Sequence, residues 1–71
     1  MTEPQNFLTV NGNPCPHTMG MTVASLIAAV YDSPGIIIAE VNAVIVPRDN
    51  YAQTPLNPGD VVELVHFVGG G

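Results

Sequence analysis

"VVELVHFVGGG", residues 61–71, is the stretch whose reading decides the fold. Val61 to Val68 are dense in β-branched and aromatic residues, the composition of a strand. Gly69, Gly70 and Gly71 follow, and glycine is the residue type that loses most freedom on ordering. A strand that runs straight into glycines is either a frayed terminus or the working part of the molecule. The choice rests on what the remaining residues build around that strand.

Immediately upstream, "NPGD" at 57–60 is a tight turn, with Pro58 setting φ and Gly59 free to take a positive one. Residues 48–60 are otherwise irregular, with room for one short helical turn near Asp49 to Ala52. Val44 to Val46 make a short strand halted by Pro47, and Asn42 and Ala43 turn the chain into it from a β-branched strand, Ile36 to Val41. Before that strand lies one amphipathic helix of about three turns at most. Thr22 sits where an N-cap belongs, and Val23, Leu26, Ile27 and Val30 follow at i, i+3, i+4 and i+7. Asp32, Ser33, Pro34 and Gly35 stop it. At the start, residues 1–5 are a polar lead and Phe7 to Val10 a first strand. "NGNP" at 11–14 turns the chain, and Cys15 to Thr18 pair back as a second strand. Pro14 and Pro16 mark that strand as an edge, because proline donates no ladder hydrogen bond.

The order is hairpin, helix, strand, short strand, irregular crossover, final strand. One helix across one face of a small mixed sheet buries these stripes economically, which makes the chain an α+β domain. With the helix as crossover, the first and last strands lie parallel at the sheet centre, the β-grasp or ubiquitin-like arrangement. A period of two turns Leu8, Val10, Ile37, Ala39, Val41, Val62 and Leu64 toward the helix. It turns Glu63, Val65 and Phe67 the other way, and Val65 and Phe67 are too apolar for a face meant only for water. They are candidate docking residues beside the glycines; a fold of Phe67 over the sheet edge is the competing reading.

Composition narrows the function. Seventy-one residues make one domain, and such a chain buries only about 60% of the surface its unfolded form exposes. Arg48 is the only strong cation against six carboxylates, for a net charge of −5. Nucleic acid and anionic membranes call for Lys and Arg, so neither is expected as a partner, and a basic docking surface is. No apolar run approaches the ~20 residues of a membrane span, and "MTEPQNFLTV" lacks the basic and apolar regions of a signal peptide. A soluble cytoplasmic protein is expected, and a lone thiol, Cys15, suits a reducing compartment. Cys15 reads as a passive thiol, and His17 and His66 lack the paired spacing of metal ligands. His66 stands close enough to the glycines to touch a partner. Arg48 can lock the loop by pairing with Asp49, Asp60 or Glu63, or it can meet a partner. Met19 and Met21 are expected to fill gaps at the helix entrance. No Ser-His-Asp set, catalytic carboxylate pair or phosphate loop can be assembled, so the chain does not read as an enzyme.

A glycine terminus does permit one chemistry. Its carboxylate becomes an acylating group once ATP converts it to an acyl-adenylate, and a sulfur nucleophile displacing AMP leaves a thiocarboxylate. Gly71 has no Cβ to hinder the acyl carbon, Gly69 and Gly70 present only backbone to a narrow channel, and three extended residues reach roughly 10 Å. With "LTVNG" at 8–12, "TVASLI" at 22–27, "VNAVIVPRDNYAQTPLNPGD" at 41–60 and "VVELVHFVGGG" at 61–71, the chain resembles the ThiS family of sulfur carriers in bacterial thiamine biosynthesis over nearly its whole length. The resemblance implies one carrier domain over residues 1–71, with 68–71 as a mobile tail and Gly70 and Gly71 as the functional pair. It implies that a ThiF-type adenylyltransferase activates Gly71 with ATP, that a sulfur-donating protein supplies the sulfide, and that thiazole synthase receives it. The carrier itself binds no cofactor and is a monomer when alone. Cys15 between prolines and the scarcity of cations depart from the pattern. A molybdopterin-type carrier, a noncovalent β-grasp binding module and a ubiquitin-like modifier remain open alternatives; genomic neighbours, deletion of Gly70 and Gly71, and isopeptide conjugates respectively discriminate them.

Overall fold

The computed structural model describes residues 6–32 and 35–67. Within them run β1 (Phe7–Val10), β2 (Asn13–Pro16), α1 (Val23–Val30), β3 (Ile36–Val41), β4 (Val44–Val46), a 3-10 helix (Arg48–Gln53) and β5 (Val61–Phe67). The five strands form one sheet in the order β2-β1-β5-β3-β4. β1 and β5 pair in parallel at its centre, with Thr9 opposite Val61 and Val10 opposite Val62, and every other pair is antiparallel. This is the β-grasp arrangement expected from the element order.

Both hairpins close in two residues. Asn11 and Gly12 have φ of 50° and 83°, and Asn42 and Ala43 have φ of 52° and 70°. Paired left-handed residues are the turn whose twist matches the flanking strands. The first turn is tighter than the four residues expected, so β2 begins at Asn13 and ends at Pro16, two residues earlier than the expected strand of Cys15 to Thr18. Ala43 takes a conformation that costs a residue with a Cβ about 1–2 kcal/mol. The second turn is clasped from outside: the Asn42 side chain donates to Asp60 Oδ1 at 3.0 Å and accepts from the Val61 amide at 3.0 Å. Asp60 Oδ2 accepts the Asn57 amide at 2.8 Å, closing the 57–60 turn in which Gly59 has φ of 90°.

α1 is capped as expected by Thr22, and Ser25 completes a reciprocal box. The Ser25 amide donates to Thr22 Oγ1 at 3.2 Å, and the Thr22 amide donates to Ser25 Oγ at 2.9 Å. Val23 and Leu26 are fully buried and Ile27 is half-buried. Val30, expected on the same apolar face, is 48% exposed at the last position of the eight-residue helix, while Ile27 and Tyr31 on either side of it pack against the core. Met21 packs on the core as expected, whereas Met19 points into solvent. Ser33 and Pro34, expected to help stop the helix, lie outside the described residues.

The irregular crossover does more structural work than its composition suggests. The Leu56 amide donates to Met21 O at 2.9 Å and the Val23 amide donates to Thr54 O at 3.0 Å, tying the crossover to the helix entrance. Leu56 thereby enters the core with Leu8, Val23, Leu26, Ile37, Ala39, Val46, Val62 and Leu64. Tyr51, on a 3-10 helix one residue longer at each end than expected, donates its hydroxyl to Ile37 O at 2.6 Å. Ile37 lies beyond the three β3 residues that β4 pairs, so the tyrosine satisfies a carbonyl the short strand does not reach. On the other flank, Asn11 Oδ1 accepts the Leu64 amide at 2.7 Å where β1 has already turned away from β5.

Candidate functional site

β5 divides its side chains between two environments. Val62 and Leu64 face the helix, with Val62 at 0% exposure, and every residue expected to point inward is buried or packed against the buried cluster. Val65 at 49% and Phe67 at 55% exposure stand on the opposite face. They are not alone there. The antiparallel register places Ile38 directly opposite Val65 and Ile36 directly opposite Phe67, both exposed. Residues directly opposite share a face with Cβ atoms about 5 Å apart, so these rungs form one apolar patch. It stands at the end of β5 that is next in sequence to residues 68–71. The next rung is Glu40 opposite Glu63, and Ile45 of β4 lies opposite Glu40 on its other side. The period of two that sends Ile37 and Ala39 inward sends Ile36 and Ile38 outward, so the sequence contained this half of the patch.

His66 and Arg48, grouped with Val65 and Phe67 in the sequence, are placed elsewhere. His66 faces the helix side with Val62 and Leu64, its ring centroid 4.5 Å from that of Tyr31 and tilted by 52°. Its Nε2 is buried and has no hydrogen-bond partner among the described residues. Gly35 makes room for this ring: a Cβ there would lie 2.5 Å from His66 Nε2 and 2.9 Å from Phe67 O. Arg48 is exposed at the start of the 3-10 helix and lines an open depression of about 590 Å³ with Asp49, Tyr51, Ile27, Gly35 and Ile37, again on the helix side. The expected lock does not form: Arg48 makes no ion pair with Asp49, Asp60 or Glu63, and Asp60 instead accepts from the Asn42 side chain and the Asn57 amide. Glu63 projects from the opposite face of the sheet. Gly69, Gly70 and Gly71 lie outside the described residues.

The remaining reactive side chains have structural partners. His17 Nε2 sits 2.7 Å from Leu56 O. A carbonyl only accepts, so Nε2 carries the proton and the ring ties the residue after β2 to the crossover. Cys15 is half-buried against the core. Among the described residues no three His, Cys, Asp or Glu side chains gather as a metal site. No helix in the described residues is long and apolar enough to cross a membrane.

A parallel β1–β5 pair at the sheet centre with α1 as its crossover helix defines the class as a ubiquitin-like β-grasp domain. Comparison with known proteins narrows the class. Residues 8–71 match the model of the ThiS family. The chain is 40% identical over 50 residues to the sulfur carrier protein ThiS of Bacillus subtilis, a match covering 70% of this chain and 76% of that protein. Its fold superimposes on the crystal structure of the thiamine biosynthesis protein ThiS from Geobacter metallireducens with a TM-score of 0.68. That pair is 33% identical, and the match covers 92% of this chain and 99% of the other. A thiazole synthase from Paramagnetospirillum magneticum is 38% identical over 64 residues, which are 90% of this chain and 20% of the synthase; the chain thus spans about a fifth of that relative's length. The chain belongs to the ThiS family, the sulfur carriers of thiamine biosynthesis.

Proposed function

We propose that residues 1–71 act as a protein co-substrate whose Gly71 carboxylate carries sulfide to thiazole formation. The carboxylate oxygen attacks the α-phosphorus of ATP in a ThiF-type adenylyltransferase, and pyrophosphate leaves. Hydrosulfide released by a sulfur-donating protein then attacks the acyl carbon, the acyl–phosphate bond breaks as AMP departs, and loss of the sulfur-bound proton leaves the thiocarboxylate. ATP is held by the activating enzyme, and the carrier binds no cofactor of its own. Gly69 and Gly70 let the reactive end thread a narrow channel, and no Cβ crowds the acyl carbon that the sulfur nucleophile must reach. The chemistry is done to the chain, in the cytoplasm, and the free carrier is a monomer.

The observation that carries this reading is the apolar patch of Ile36, Ile38, Val65 and Phe67 at the end of the strand that leads to the glycines. Exposed side chains of this size on a marginal domain need a reason, and a partner that must hold the body while the tail enters its active site supplies one. The similarity to a segment of thiazole synthase supports that enzyme as the receiving partner.

Intact mass spectrometry after incubation with ATP, a ThiF-type enzyme and a sulfur source tests the reading. The expected product gains the mass of one sulfur in exchange for one oxygen, mapped to Gly71. A C-terminal peptide that stays unchanged under conditions that load an established carrier contradicts it.

A further inference from the structure

Leu56 holds two points of the segment before α1 at once. Its amide donates to Met21 O at 2.9 Å, and its carbonyl accepts the His17 Nε2 proton at 2.7 Å. Between these points Thr18 to Met21 close a tight turn, in which the Met21 amide donates to Thr18 O at 3.1 Å and Gly20 has φ of 83°. The turn and the shared partner fix His17 and Met21 relative to each other, with Met19 on the turn between them. All three residues line one open depression of about 480 Å³. Asn6, which precedes β1, and Asn57, which opens the turn into β5, line it as well, so it stands beside the start of β5 and not the end that leads to residues 68–71.

His-x-Met-x-Met is a dense run of soft donors. Core packing accounts for part of Met21 but not for Met19, which is 97% exposed. With the Nε2 proton given to Leu56 O, the neutral His17 ring keeps its Nδ1 lone pair. A histidine that ligates a metal characteristically donates its other ring N–H to a carbonyl or carboxylate, which fixes the tautomer and the ring orientation. That contact is already made here. Among the described residues no Asp, Glu or Cys lines the depression, so it serves hard oxygen-seeking cations poorly. We propose that His17 Nδ1, Met19 Sδ and Met21 Sδ form a binding site for a soft monovalent cation, Cu(I). Thioether sulfur selects Cu(I), and imidazole suits copper. The ligands are neutral, binding releases no proton from the neutral ring, and copper enters and stays as Cu(I). A chain of net charge −5 favours the cation's approach. The site is independent of the chemistry at Gly71.

Anaerobic titration of the full chain with Cu(I), followed by NMR of the methionine methyl groups, tests the site; the ion is closed-shell and leaves the signals sharp. The Met19 and Met21 methyl signals and the His17 ring signals should move together and saturate at one equivalent, while Met1 stays in place. In competition with a chromophoric Cu(I) chelator, Met19→Leu with Met21→Leu should lose that equivalent. Both swaps conserve volume, and circular dichroism checks that the fold is kept. Met19→Leu alone changes a side chain outside the core and should weaken binding without touching stability. Cys15→Ser should bind as the native chain does. Native affinity in both leucine variants overturns the site. So does loss of binding in Cys15→Ser with retention in the double leucine variant, which would make the thiol the ligand. Equal, unsaturating shifts of all three methionines overturn it too.

Discussion

Leu64 and Val65 are neighbours on one strand and have opposite fates. Leu64 is buried beneath α1, while Val65 stands half in solvent beside Phe67, Ile38 and Ile36. Both are aliphatic, so composition does not separate them; the pleat does. The inner face of the sheet holds the domain together. The outer face leaves its apolar side chains exposed, and on the proposed reading it serves contact with a partner. Apolar character alone therefore says nothing of a residue's role in so small a protein, and the partner it packs against says nearly everything.

The difference can be broken most forcefully from the inside. Leu64→Ala should cost about 2–5 kcal/mol, a large part of what a domain of this size has, and urea denaturation followed by circular dichroism should show a chain near the edge of unfolding. Gly35→Ala comes next. It drives a methyl group into His66 on the inner face and into the Phe67 carbonyl, and overpacking of this kind costs about 1–3 kcal/mol. Because β5 and the start of β3 must shift to admit it, it should weaken docking as well as folding, which binding to thiazole synthase would register. A shape-preserving change on the outer face should move only one of the two. Val65→Thr should alter stability by no more than about 0.5 kcal/mol while measurably weakening the partner complex. A large stability loss there would erase the distinction between the faces.

Much of this was legible before any coordinates. β3 and β4 fall on the expected residues, because β-branched runs bounded by Asn-Ala and by Pro47 leave little freedom in register. The helix begins at its expected cap, since Thr22 is followed at once by the apolar period. What the sequence obscured has physical causes. An Asn-Gly pair can close a hairpin alone or within a longer loop, and only the pairing of Val10 with Asn13 decides it. Leu56 looks like a loop residue, and its burial depends on hydrogen bonds to Met21 and to the helix entrance that no local pattern announces. The expected pairing of Arg48 with Asp49, Asp60 or Glu63 did not form; Asp60 is engaged instead by Asn42, distant in sequence, which no local pattern announces. The separation of His66 from Val65 and Phe67 was readable from the strand period, but proximity to the glycines drew it into their group. The glycines themselves were recognised by chemistry and family pattern.

With the carried group proposed at Gly71 and the grip on the outer face, the two can be separated in one measurement. A chain with a single alanine appended after Gly71 keeps Ile36, Ile38, Val65 and Phe67 intact. In a reconstituted reaction it should bind thiazole synthase through that face yet fail to yield a Gly71 thiocarboxylate or any thiazole. Thiazole formation at the native rate, with the added alanine still attached at the end of the reaction, would contradict the account.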